Sequence, residues 1–113
     1  MTDKRRNPPP AHLKPDTAKW WRSVHADYQL EQHHARLLTL AAESWDRCQQ
    51  ARAAVDKDGI TVTTGDGGIK AHPAIAIERD ARLAFARLIR ELDLDVDPPA
   101  SGRRPPGLRS NGG

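Results

Sequence analysis

Apolar residues recur at helical spacing in three stretches of the chain. In the first, Trp20, Val24 and Tyr28 are four residues apart, which predicts a helix from Pro15 to about Tyr28. Proline suits the first helical position because the N–H that it lacks would have no partner there. Asp16 follows, where the positive end of the helix dipole favours an acidic side chain. We therefore expect a short amphipathic helix.

The second stretch runs from about Gln32 to Lys57 without glycine or proline and predicts a long helix. Its stripe advances by three and four residues through Leu38, Ala41, Trp45, Cys48, Arg52 and Val55. At 1.5 Å per residue such a helix is roughly 36 Å long, so the shorter first helix cannot cover it. A further element must pack along the remainder.

A change to β-branched residues follows Gly59, which we expect to end the second helix. Residues 60–63 favour extended backbone, residues 65–68 a turn, and residues 69–71 a returning strand, which together predict a short β-hairpin.

A third helix is expected from His72-Pro73 to about Leu92. Its predicted apolar stripe is Ile77, Ala81, Ala84, Phe85, Leu88 and Leu92. Helices two and three should then pack antiparallel. The predicted class is mainly α, with a short N-terminal helix and a long helical hairpin that carries a small β-hairpin between its helices.

Composition divides the chain into three parts. Residues 1–14 are basic and rich in proline, residues 97–113 are rich in proline, glycine and arginine, and residues 15–96 hold the predicted helices. The outer parts lack the apolar residues that would offset chain ordering, so we expect a flexible basic arm and a disordered tail around a helical domain. Of the net charge of +3, the arms carry the positive excess and the domain is slightly acidic.

The single cysteine, Cys48, allows no intramolecular disulfide and no cysteine-based zinc site. The basic start has no apolar segment after it, so we expect no signal peptide, and no stretch has the length to span a bilayer. These features favour a protein of a reducing cytoplasm.

Four stretches, in this order and at these spacings, resemble the phage terminase small subunit family. They are Ala18-Lys19-Trp20-Trp21, the run Leu37-Leu38-Thr39-Leu40-Ala41-Ala42-Glu43-Ser44-Trp45-Asp46-Arg47, the segment Gly59-Ile60-Thr61-Val62, and His72-Pro73-Ala74-Ile75-Ala76-Ile77-Glu78-Arg79-Asp80-Ala81. The resemblance covers about residues 13–94.

The resemblance implies a non-catalytic protein of virion assembly, from a phage or a prophage, in the cytoplasm of a bacterial host. Its partners would be double-stranded viral DNA, further copies of itself in a homo-oligomeric ring, and the large terminase subunit, which carries the ATPase and nuclease. No cofactor, metal or membrane is implied.

Basic residues of the arms and of the first two helices are the candidate DNA contacts. They are Lys4, Arg5, Arg6, Lys14, Lys19, Arg22, Arg36, Arg103 and Arg104. Simple solvated charge is the competing interpretation for each of them.

The candidate core or oligomer-interface residues are Trp20, Trp21, Trp45, Phe85 and Leu88. Adjacent residues of a helix point about 100° apart, so we expect one of the Trp20–Trp21 pair to leave the core. It would cover either a neighbouring subunit or the rim of its own domain.

No catalytic constellation is predicted. The glycines after Thr64 lack the Gly-Lys-Ser/Thr ending of a phosphate loop. His33 and His34 should point apart on a helix and so not share a metal, and Cys48 has no base that its spacing would place beside it. His72 is expected either to cap the third helix or to contact a partner or DNA.

Two other classes stay open at this point. A small transcription regulator or antitoxin would use the first two helices as a helix-turn-helix, although the second is long for a recognition helix. A structural adaptor would bind protein through its helical hairpin and never contact nucleic acid.

Overall fold

The computed structural model describes residues 8–93 and Pro99, and over this range it confirms the predicted mainly-α class. The elements in chain order are α1 (Pro15–Asp27), α2 (Gln32–Asp58), β1 (Thr61–Thr63), β2 (Ile69–Ala71) and α3 (Ala74–Leu92). Their ends fall within one or two residues of the predicted ones. Most of the two predicted arms lies outside the described residues, but Pro99, in the predicted tail, is buried.

The helices α2 and α3 form the predicted antiparallel pair. Three contacts show this pairing, in order towards the hairpin. The rings of Trp45 and Phe85 have centroids 5.1 Å apart, the side chains of Arg52 and Glu78 approach to 3.4 Å, and those of Asp58 and His72 approach to 3.0 Å. Each later residue of α2 thus meets an earlier residue of α3 or of the segment just before it, as two long helices joined by a short connection require.

The hairpin follows directly from its glycines. Gly59 ends α2 with a φ of +88°, a conformation that side chains with a Cβ rarely adopt, and its N–H donates to the carbonyl of Val55. In the turn, the Asp66 carboxylate accepts hydrogen bonds from the Thr64 hydroxyl and from the Gly68 N–H. These bonds depress the pKa of Asp66, the Thr64 hydroxyl most strongly. The strands pair antiparallel with Val62 opposite Lys70.

The core lies where α1 crosses the helical pair. On α1, Trp20, Trp21 and Val24 are buried, and on α2 the residues beneath them, Leu38, Ala41 and Ala42, have no exposed surface at all. The side chains of Ala41 and Ala42 are small, so they leave room on α2 for the two indole rings.

Asp46 of α2 fixes the start of α1. Its carboxylate accepts one hydrogen bond from the Lys14 N–H at 2.8 Å and another from the Thr17 hydroxyl at 2.6 Å. Thr17 is 2% exposed, and Leu13 is buried in the core. The packed structure therefore begins at Leu13, slightly before the predicted boundary at Pro15.

Replacing Asp46 with alanine should lower the free energy of unfolding by about 1.5–3 kcal/mol, because two hydrogen bonds to a charged acceptor are lost and the Thr17 hydroxyl stays buried. Urea denaturation measures the change. Asp56→Ala is the matched control, because within residues 8–93 the ion pair of Asp56 is with the exposed Arg52, at 3.4 Å. An exposed pair of this kind contributes about 0–1 kcal/mol. Equal effects of the two changes would contradict the role given to Asp46.

Candidate nucleic-acid and subunit interfaces

The candidate DNA contacts on the helices are exposed but do not form one cluster. Lys19 and Arg22, three residues apart on α1, share its outer face, opposite the buried tryptophans. Arg36 is exposed near the start of α2, and the side chain of Lys14 is exposed although its N–H is bound to Asp46. Lys4, Arg5, Arg6, Arg103 and Arg104 lie outside the described residues.

A second basic surface, which the sequence analysis missed, lies on α3. Arg79, Arg87 and Arg90 are exposed on the face opposite the core, with Leu83 between them at 57% exposure. Their spacing of four, four and three residues is that of one helical face, so the same periodicity that revealed the apolar stripe could have revealed them. We name these four residues the α3 outer face.

Both tryptophans of α1 belong to the subunit's own core, so the expectation that one would leave it is wrong. Trp20 is 8% exposed and meets Phe85 of α3, with ring centroids 6.3 Å apart. Trp21 is 5% exposed, and its indole N–H donates to the Thr39 hydroxyl of α2 at 3.1 Å. Because α1 packs over two helices, side chains that diverge can both be covered.

Trp45 is half-buried and lines a groove between α2 and α3. The groove has a volume of about 260 Å³ and is lined by Trp45, Cys48, Gln49, Arg52, Glu78, Arg82 and Phe85. Glu78, 12% exposed, bridges Arg52 at 3.4 Å and Arg82 at 2.8 Å across its mouth. Phe85 and Leu88 are partly buried and pack against the core. Cys48 thus contributes to packing beside an aromatic pair.

On its other side, the helical pair leaves an apolar surface open. Ile77 was expected in the apolar stripe, yet it is 45% exposed, and Leu40 of α2 beside it is 50% exposed. They line a groove of about 430 Å³ together with Glu43, Ser44, Arg47, Asp80 and Ala81. Ile77 misses the core because the contact with α2 is centred on Ala74, Ala81 and Phe85, and Ile77 falls at its edge. We name this surface the Leu40–Ile77 groove.

The two adjacent histidines do not diverge as expected. The rings of His33 and His34 lie 4.1 Å apart, and with Glu31 they place three potential ligand atoms within 4.8 Å of one another. The Glu31 carboxylate lies 3.8 Å from Nδ1 of His33. Both His33 and Glu31 are strongly exposed, and the start of a helix repels cations. The contact between Glu31 and His33 is therefore long and exposed.

His72 caps the third helix, one of the two roles expected for it. Its Nδ1 accepts the Ala74 N–H at 3.0 Å, which leaves Nε2 as the ring's donor to the Asp58 carboxylate at 3.0 Å. One side chain therefore links the end of α2 to the beginning of α3.

The comparisons with known proteins agree with this architecture. A family profile described as phage terminase, small subunit, matches residues 18–103, most of the chain and nearly all of the three helices. The chain belongs to the phage terminase small subunit family. Comparison with curated proteins and with solved structures gives no significant match.

Membership gives the general role. Terminase small subunits act in phage DNA packaging and are in general the DNA-recognising, non-catalytic partners of a large subunit. Among the described helices of this family member, none has the length and apolar character to cross a bilayer.

His25 provides a pH test of the α1 packing in this terminase subunit. Its ring lies 4.0 Å from Trp21, its Nε2 is buried without a hydrogen-bond partner in the described part of the chain, and burial lowers its pKa below the ordinary 6.5. As the pH falls, the His25 imidazole is therefore protonated more readily in the unfolded chain than in the folded one. The folded state loses stability as the pH falls below about 6.5.

Replacing His25 with phenylalanine should keep the ring contact and remove this penalty. Between pH 7.5 and pH 5.5, the free energy of unfolding should then fall less in the variant than in the unmodified protein, as thermal denaturation at several pH values would measure. If the difference in free energy of unfolding between the two proteins is the same at every pH, the His25 ring is solvated in the folded state and this account is contradicted.

Proposed function

We propose that this chain is the non-catalytic subunit that recognises double-stranded viral DNA and delivers it to the large terminase subunit for packaging. The observation that carries the proposal is the family match over residues 18–103, which includes the whole of α2 and α3. The large subunit would supply ATP hydrolysis and DNA cleavage, in the cytoplasm of the bacterial host.

Assembly into a homo-oligomeric ring is the second part of the proposal. The Leu40–Ile77 groove supports it, because two large apolar side chains about half exposed lie between an acid, Asp80, and a base, Arg47. A neighbouring subunit could cover the apolar centre and pair with the charged edges. A ring would also present many weak DNA contacts at once, which raises avidity without a strong single site.

For the DNA contacts we propose first the basic arms, with Lys4, Arg5 and Arg6 in one and Arg103 and Arg104 in the other. Phosphate contacts need charge and reach more than a fixed fold, and these segments supply charge in a proline-rich context. Lys19, Arg22 and Arg36, which are exposed on α1 and α2, could extend the contact.

The transcription-regulator alternative finds little support in the packing of α2. This helix has 27 residues, about 40 Å, and the 19 residues of α3 pack against it. A helix of this length, packed as one half of a helical hairpin, does not resemble the short recognition helix of a helix-turn-helix. The adaptor alternative differs from our proposal in one observable, the absence of DNA binding.

The ring is tested with one substitution. Ile77→Glu should convert the oligomer to smaller species, because it buries a charge in the proposed interface. Size exclusion with light scattering gives the mass. Ile69→Glu is the control, since Ile69 is 74% exposed on the hairpin, outside the groove. A monomeric unmodified protein at tens of micromolar, or equal loss in both variants, would reject this interface.

The arms are tested with a salt series. Changing Lys4, Arg5 and Arg6 to alanine should weaken binding to DNA of any sequence and flatten the dependence of log K on log salt by about 1 per lost phosphate contact. Electrophoretic shifts at several salt concentrations measure it. No binding by the unmodified protein would favour the adaptor class, and an unchanged slope would move the contact to the folded body.

Hydrolysis of ATP and cleavage of DNA by this chain alone should both be absent. Our proposal assigns those activities to the large subunit, and no nucleophile-base pair or phosphate loop is found among the described residues. Turnover that persists through repeated purification and follows the protein's concentration would contradict the non-catalytic assignment.

A further inference from the structure

The α3 outer face is a continuous basic surface on the described helices. Its four residues lie along one face of the helix: Arg79, Leu83, Arg87 and Arg90. The side chain of Arg79 is 62% exposed. From Arg79 to Arg90 the helix rises roughly 16 Å at 1.5 Å per residue. One strand of B-DNA presents about five phosphates over that length, at 3.4 Å of axis each.

The acids of α3 neutralise this face only in part. Glu78 points to α2, where it is 12% exposed and held between Arg52 and Arg82. Asp80 meets Arg79 only at 3.4 Å in an exposed pair. Arg87 and Arg90 form no ion pair within residues 8–93, although Glu91 is their neighbour in sequence.

The helix dipole accounts for part of the pattern only. A cation in the last turn, such as Arg90, interacts favourably with the negative end of the dipole. Arg79 lies in the second turn, near the positive end, and Arg87 is more than a turn before the C-terminus, so the dipole does not explain why the basic face runs along the helix.

We infer that the α3 outer face contacts the phosphate backbone of double-stranded DNA, an inference that rests on the proposed DNA-recognition function and adds a contact surface on the folded body. Guanidinium groups donate two parallel hydrogen bonds to a phosphate and hold it with defined geometry. Ala76 and Ala86 flank the arginines and leave the helix surface low enough for a DNA strand to approach.

The composition of the face favours DNA over an acidic protein surface. Protein interfaces are built around a buried centre enriched in aromatic side chains. The α3 outer face has no aromatic residue, and its one large apolar side chain, Leu83, is 57% exposed between flexible cations. The Leu40–Ile77 groove, on a different side of α3, has the apolar centre that a protein partner needs.

The test compares two double variants that each remove two positive charges. Arg87→Ala with Arg90→Ala acts on the α3 outer face, and Lys57→Ala with Lys70→Ala removes two exposed lysines near the hairpin. Binding to a duplex of random sequence is measured by fluorescence anisotropy from 50 to 300 mM salt, with full-length protein. Circular dichroism and light scattering on each variant report folding and mass.

The inference predicts that the salt slope falls by about 2 in the Arg87/Arg90 variant, one unit for each lost phosphate contact, and stays unchanged in the lysine variant. Restoring charge as Arg87→Lys with Arg90→Lys should recover the slope with somewhat weaker binding, since lysine cannot bind phosphate through a fork.

Three results would overturn the inference. An unchanged salt slope in the Arg87/Arg90 variant would mean that the phosphate contact lies elsewhere, and the proposed function would still stand. An equal fall in the slope of both double variants would mean that the protein's net charge, and not this face, determines the binding. A change in oligomeric mass on altering Arg87 and Arg90 makes this face a subunit contact. Failure of the unmodified protein to bind DNA at 50 mM salt would instead remove the proposed function itself.

Discussion

The two indole rings of α1 fill the crossing between α1 and the helical pair, and this contact determines which surfaces of the subunit remain open. A helix of 13 residues is marginal on its own in water, so α1 depends on packing. Trp20 reaches Phe85 of α3, and Trp21 reaches Thr39 of α2. Ala41 and Ala42 make the contact possible by leaving space beneath the rings. Asp46 then holds the beginning of the same helix.

Because α1 covers the end of the pair where Leu38 and Leu92 lie, the other sides of α2 and α3 stay exposed. Two of these sides differ in character. One has an apolar centre at Leu40 and Ile77, suited to another protein surface, and the other carries the arginines of α3, suited to phosphate. The ring proposed above would need both kinds of surface, one towards its neighbours and one towards DNA, and the described helices place two such surfaces on different sides of α3.

The elements of the fold could be predicted from the sequence because each has a strong local cause. Gly59 ends the uninterrupted second helix, and Pro15 starts the first, so their limits were correct to within one or two residues. Tertiary details were less accessible. Whether Trp21 is covered depends on α1 lying over two helices at once, and whether Ile77 is buried depends on where α3 contacts α2; neither is a property of helical periodicity. The Asp46 anchor joins residues about 30 apart in sequence, which no local pattern indicates.

The candidate site divides in the same way. Charge and proline content pointed to the arms, whose candidate DNA contacts other than Lys14 lie outside the described residues. The arginines of α3 were not predicted, although their spacing is as regular as that of the apolar stripe. The family, by contrast, was accessible, because the order of four short motifs along the body carried it and the family profile covers the same region.

The most direct measurement of the central claim is the activity of the large terminase subunit on viral DNA with and without this chain. If the chain recognises DNA and presents it to that subunit, adding it should change the rate of ATP hydrolysis or of DNA cleavage by the large subunit, and the change should disappear when the DNA is omitted. Rates that are the same with and without the chain, at concentrations where it binds the DNA, would contradict the claim.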